Sequence, residues 1–179
     1  ECSEGLKPSI DHKLTYEEST MTNHPDDRFN AKAQALGFDF SGEIKIGGHY
    51  VPVVQHQQTV YVSGQIPRMG DHVIVTGCAG QEVSLPQAQL AAKICVMRAL
   101  ALLHHQLGSL SKIQKVLRIT VYVHCTADFT MHSEVADGAS DLVVAALGER
   151  GRHARAAIGV AALPRAALVE MDGIVVVPG

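Results

Sequence analysis

Two stretches of this chain carry the periodicity of a long helix while six carry that of a strand, and this imbalance limits the fold more than any single motif. The first helix is marked by Ser84 as N-cap, with Gln87 three residues on and Pro86 in the first turn. Leu90, Ile94, Met97 and Ala101 then trace one face until Gly108 stops it. The second runs from Thr130 to Leu147 with Thr126 or Asp128 as cap, a stripe of Val135, Ala139, Leu142 and Ala146, and Gly148 as its end. Strand signals cover Ile44–Ile46, Tyr50–Val54, Thr59–Ser63, Val116–Val123, Arg155–Leu163 and Leu168–Val176. The turns between them fall at Gly47-Gly48, at Gln55–Gln58, and in a tight turn around Pro164. Along Val116–Val123, alternation puts Leu117, Ile119, Val121 and Val123 on one face and Arg118, Thr120 and Tyr122 on the other. Two helices cannot cover both faces of such a sheet. The pattern therefore predicts an α+β layer with both helices on one face and the other face buried by self-association.

A short helix is predicted from Arg28 to Leu36, ended by Gly37. Residues 1–27 read as a leader or extension, disordered and outside the fold, and residues 28–179 as a single domain of a size that buries a substantial core. The net charge of −3 sits in residues 1–20, and the remaining acids and bases balance. A neutral body offers no clustered cations for displacing counterions from nucleic acid, so no nucleic-acid partner is expected. The chain shows no apolar run long enough to span a bilayer and no secretory layout, so no membrane association is expected. Cys2, Cys78, Cys95 and Cys125 are far apart and form no CxxC pair, and Cys95 and Cys125 read as small core residues. The compartment read from this is the reducing cytoplasm.

Three features carry chemistry. Arg155 opens an otherwise apolar strand and Glu170 interrupts another, and a buried cation or carboxylate is costly without a partner. A hairpin turning at 162–165 would set Glu170 opposite Ala157, diagonal to Arg155 on one wall. The same pair also fits a structural ion pair at a subunit contact. Second, Gly64 ends the strand of Val60-Tyr61-Val62-Ser63-Gly64-Gln65-Ile66-Pro67, where a ligand could approach the backbone, although the local residues by themselves favour a plain strand-to-turn junction. Third, Tyr50 follows Gly48-His49 and on its own is a half-buried sheet tyrosine. No HxxxH, HExxH or Cys/His cluster points to a metal, and adjacent His104 and His105 would face different ways on a helix. Cys78 in Gly-Cys-Ala-Gly lacks the frame of a nucleophile elbow, and no Gly-rich nucleotide loop occurs.

These motifs, in order, resemble the YjgF/YER057c/UK114 (Rid) family. The resemblance covers residues 42–177. It is carried by Tyr50, Val62–Pro67, Gln87-Ala88, Leu107-Gly108, Ile119–Val123, Asp128-Phe129 and the strand from Arg155 through Leu163 to Val169-Glu170-Met171. Asp137–Ser140 and Gly151–Arg155 look closest to the longer endoribonuclease/chorismate-mutase-like branch. The resemblance implies a chorismate-mutase-like α+β fold with a mixed sheet, a homotrimer, and sites in clefts between subunits. It implies hydrolysis of 2-imino acids or enamines to 2-oxo acid and ammonia, without metal or organic cofactor. Arg155 would hold the substrate carboxylate and Glu170 would position or activate water. Tyr50, Gly64, Ala157 and Asp137 would line the cleft. Relatives often carry Cys at the position of Ala157, and Asn at those of Asp137 and Arg98. A non-catalytic, small-carboxylate-binding trimer is the competing reading, and RNA cleavage, attached to some relatives, the third.

Overall fold

A computed structural model describes residues 24–179. The leader expected over 1–27 lies outside the described residues except at its end, where the first helix already begins. Helix α1 spans Pro25–Leu36, three residues longer than expected. His24 Nδ1 accepts from the Asp26 amide at 3.3 Å, Pro25 presets the first turn, and Asp26 and Asp27 face the positive end of the helix. Strands β1 (Val53–His56), β2 (Thr59–Gln65), β3 (Arg68–Met69) and β4 (His72–Val73) follow. Then come α2 (Leu85–Leu107), β5 (Lys115–His124), α3 (His132–Leu147), β6 (Ala154–Val160) and β7 (Val169–Val176). The main sheet runs β1-β2-β7-β5-β6, and β3 and β4 form a separate small hairpin.

The two C-terminal strands are not the hairpin that their sequence suggests. Helix α3 carries the chain back along the sheet, so β6 starts at the same end as β5 and pairs with it in parallel. Strand β7 takes the opposite edge of β5, antiparallel, and so two strands that follow each other in sequence are separated by β5. Glu170 lies opposite Tyr122, and Ala157 opposite Val121. The intervening segment crosses the end of β5, where the Cys125 amide donates to Val160 O at 3.3 Å and the His124 amide to Leu168 O at 2.9 Å. Arg165 and Ala166 sit there in left-handed conformations (φ 57° and 55°), which a non-glycine residue adopts at a cost.

Other differences are local. Ile44–Ile46 and Tyr50–Pro52 are loop rather than strand, and β1 begins only at Val53. The hairpin that follows turns on two residues, Gln57-Gln58, not on four, as His56 pairs with Thr59. A bulge between Val116 and Arg118 shifts the alternation of β5. Val116, Ile119, Val121 and Val123 face the core while Leu117 is exposed. Cys95 is fully buried as expected, while Cys125 is partly buried against the core, with its thiol 3.3 Å from His132 Nε2. Helix α3 begins at His132, without the Thr126 or Asp128 cap.

Helices α2 and α3 pack on the sheet face that carries Val60, Val62, Ile119, Val121, Val169, Met171 and Val175. The α2 start is as expected: the Ser84 amide and hydroxyl both meet Gln87 Oε1, at 3.0 and 2.8 Å. Its end is set by Gly108 at φ 81°, whose amide donates to His104 O. The expected stripe of α3 is buried throughout. Among the described residues no helix covers the opposite sheet face, and Val54 and Tyr61, in one cross-strand row, and Ile158 are exposed on it.

The two long helices meet backbone to backbone at Gly138. A Cβ there would lie 2.5 Å from Gln89 O, and neither main chain can yield without separating the helices. Gly138→Ala is therefore expected to lower stability by about 1–3 kcal/mol, the usual cost of overpacking, read from the urea midpoint at unchanged slope.

Candidate active site

Two polar clusters stand out, and the fold keeps them apart. The first is a cleft of about 350 Å³ lined by Tyr50, Gly64, Arg68, Arg98, Arg165 and Glu170, among others. It exists because β2 loses its regular register between Val62 and Gln65, opening the sheet around Ser63 and Gly64. Gln65 Nε2 closes the irregular turn on Ser63 O (3.1 Å), Ser63 Oγ (3.2 Å) and Gly64 O (3.1 Å). The Glu170 side chain lies across the open face of Gly64, and a Cβ on that glycine would collide with its carboxylate. Gly64 is thus more than a strand end: its missing side chain is the seat of Glu170. Burial first, and then the nearby charge of Asp172, push the Glu170 carboxyl above the usual glutamate range. Tyr50 lines the mouth half-exposed, on a loop rather than in a strand.

The second cluster surrounds Arg155. Its Nη1 donates to Asp137 Oδ1 and Ser140 Oγ, both at 2.9 Å, and its Nη2 to Ser133 O at 3.3 Å. All three partners belong to α3. His153 completes the chain of contacts. Its Nδ1 can only donate to Gly151 O, and in the neutral ring this makes Nε2 the acceptor for the Ser140 hydroxyl at 3.0 Å. The Ser140 oxygen is then free to accept from Arg155. Ser140 and His153 fall in the segments Asp137–Ser140 and Gly151–Arg155 that carry the resemblance to the longer branch, but the sequence assigns neither a role in the site. Ala157 lies two residues beyond Arg155, on the same face, and packs on the core.

Arg155 and Glu170 do not share a wall. Arg155 is in register with Ile119 and Gly173, three residues along from Glu170, and β5 lies between. Ordinary strand spacings put their backbones about 10 Å apart across the sheet and about 10 Å along it. Their side chains also leave opposite faces: Arg155 shares the row of core residue Ile119, while Glu170 alternates with buried Val169 and Met171. One small molecule cannot bridge them within one chain.

Residues 40–177 match the model of a family described as endoribonuclease L-PSP, known also by the YjgF name. The chain belongs to this family. Protein TCP17 of Trypanosoma cruzi is 36% identical over 149 residues, covering 83% of this chain and 93% of its own. The crystal structure of Atu1372 from Agrobacterium tumefaciens, a protein described as of unknown function, superposes with a TM-score of 0.77 at 36% identity. The match spans 92% of this chain and 98% of that one. RidA from an Antarctic Psychrobacter is similar at 26% identity and a TM-score of 0.51, over 74% and 92% of the two chains. The family's mixed α+β fold is thereby shared. Among the described residues, no group of three or more His, Cys, Asp or Glu is placed to hold a metal ion, and no helix is long and apolar enough to cross a membrane.

The raised pKa of Glu170 has a definite consequence for stability. A carboxyl raised above its unfolded value favours folding while protonated, and that contribution is lost as pH rises through the folded pKa. Glu170→Gln is expected to melt level with the parent at pH 4. As pH is raised through the folded pKa, it should melt progressively higher than the parent, a difference that differential scanning fluorimetry across pH would show.

Proposed function

We propose that the protein hydrolyses 2-imino acids, such as 2-iminobutanoate or 2-iminopropanoate, to the 2-oxo acid and ammonia, in a cleft built by two copies of the chain. The observation that carries this reading is the placement of Arg155 and Glu170 on opposite faces, each in an otherwise complete half-site. A second copy brings the cation of one chain to the carboxyl of the other, and members of the family form homo-oligomers. A homotrimer closes such a heterologous contact into a ring. The exposed Val54, Tyr61 and Ile158 on the helix-free sheet face supply apolar surface for it.

The chemistry asks little of the protein. The imine carbon is electrophilic already, and protonation on nitrogen makes it more so. Arg155, fixed by Ser140 and Ser133, binds the substrate carboxylate as Asp137 yields one position, and this orients the C=N bond. Glu170, seated on Gly64 and partly desolvated, takes a proton from water as the oxygen bonds to carbon. It returns the proton to nitrogen as the C–N bond breaks, then accepts the remaining hydroxyl proton as the C=O bond forms and releases it to solvent, replacing the proton taken up by the imine. Water and imine give ketone and ammonia, with no net redox change and no group left on the enzyme.

The arrangement is tested by mixing two inactive variants. Arg155→Ala and Glu170→Gln should each lose at least about a hundredfold in imine hydrolysis while keeping the parent's assembly. Unfolded together and refolded as mixed oligomers, they should recover about a quarter of parental activity, the chance that an intact arginine meets an intact glutamate. No recovery, with mixed assembly demonstrated, would place both residues in one chain's site and overturn the shared cleft. The parent's kcat/KM should also fall on acidification, with a midpoint above the usual glutamate range, because the general base must be ionised.

Asp137 on Arg155 supports a second reading, in which the arginine is a regulated carboxylate receptor without turnover. Stabilisation by 2-oxobutanoate, combined with no acceleration of ammonia release from imines made in situ, would select it.

A further inference from the structure

The cleft around Glu170 holds more positive charge than a monocarboxylate substrate uses. Arg98, on α2, is 6% exposed, and its guanidinium faces no carboxylate at ion-pair distance among the described residues. Nη1 donates to Arg68 O at 2.8 Å and Nη2 to Lys45 O at 3.0 Å, while its buried Nε–H has no hydrogen-bond partner. A buried guanidinium held only by carbonyls, with its Nε–H unpartnered, is costly. Burial and then the charge of Arg68 both pull its pKa below the ordinary value, the expected strain on an uncompensated cation. Arg68 and Lys45 line the same cleft and share a single carboxylate, Asp71, at 3.3 and 2.7 Å. Arg165 also lines it, among the described residues without an acidic partner, from a loop position held at φ 57°. Four cations thus meet two acids, Asp71 and Glu170.

Building on the deaminase reading, we infer that the Arg98–Arg165 side of this cleft binds a second carboxylate on the substrate, so that the preferred substrates are 2-imino dicarboxylic acids. These are the products of oxidising acidic amino acids such as aspartate or glutamate. The 2-carboxylate goes to Arg155 of the adjacent copy, and the distal carboxylate takes the charge that Arg98 and Arg165 leave unmatched. A bidentate carboxylate on a guanidinium is the geometry this residue type serves best. An uncharged side chain in the same place leaves buried cations unpaired, and discrimination of at least about tenfold follows.

The experiment has a binding arm and a kinetic arm on the full chain. Titration calorimetry compares 2-oxoglutarate with 2-oxobutanoate, and ammonia release compares 2-iminoglutarate with 2-iminobutanoate, both generated in situ. The expected result is at least a tenfold preference for the dicarboxylate in each arm, falling toward one in Arg165→Gln, an exposed-loop change that leaves the core alone. Arg98→Gln should erase the preference too, and the Arg165 variant decides if the Arg98 variant does not fold. Equal binding and equal turnover of the two classes, or a preference unchanged in Arg165→Gln and Arg98→Gln, overturns the inference and leaves the deaminase reading intact. A dicarboxylate preference in binding without turnover of either imine supports the second-carboxylate subsite and removes the deaminase reading instead.

Discussion

The position of β5 decides the rest of this molecule. It pairs in parallel with β6 on one side and antiparallel with β7 on the other, so the strand bearing Arg155 never touches the strand bearing Glu170. The cause is mechanical: a sixteen-residue helix between β5 and β6 returns the chain to its starting edge. β6 ends the sheet, and β7 pairs antiparallel with the far edge of β5 rather than with the free outer edge of β6. The charge-bearing residues then fall on opposite faces, and the helices, confined to one face, leave the other with exposed Tyr61 and Ile158.

Much of the fold was legible because the signals are local. The box between Ser84 and Gln87, the stops at Gly37, Gly108 and Gly148, and the stripe of α3 need only neighbours along the chain to be read. The hairpin misreading had a different origin. Two apolar strand signals with four residues between them look adjacent, and nothing within them announces that a third strand lies between. The same limit hid the bulge at Leu117, where one extra residue moves every later side chain to the other face, and the β3–β4 hairpin, too short to alternate. Of the site residues, Arg155 and Glu170 stood out as charges in apolar strands. Ser140 and His153 did not, since their role depends on a contact between helix and strand. Arg68, Lys45 and Arg165 look like ordinary surface cations until the loops that carry them converge on one cleft.

The two clusters treat their cations in contrasting ways. Arg155 is surrounded by acceptors from a single helix, with one carboxylate that is itself more than half exposed and so can be displaced cheaply. Arg98 is buried deeper and tied to two backbone carbonyls, which fixes it to the loop at Lys45 and to the start of β3. On the proposed reading one arginine exchanges its partner for a substrate carboxylate, while the other both fastens the wall of the cleft and receives the distal carboxylate.

The opposite-face placement of Arg155 and Glu170 also bears on when a chain becomes chemically competent. On the proposed reading a single copy carries two incomplete halves and does nothing to an imine, so competence is a property of association and not of folding. A newly made chain would stay inert until it met others, and specific activity would decline on dilution into the range where the oligomer comes apart.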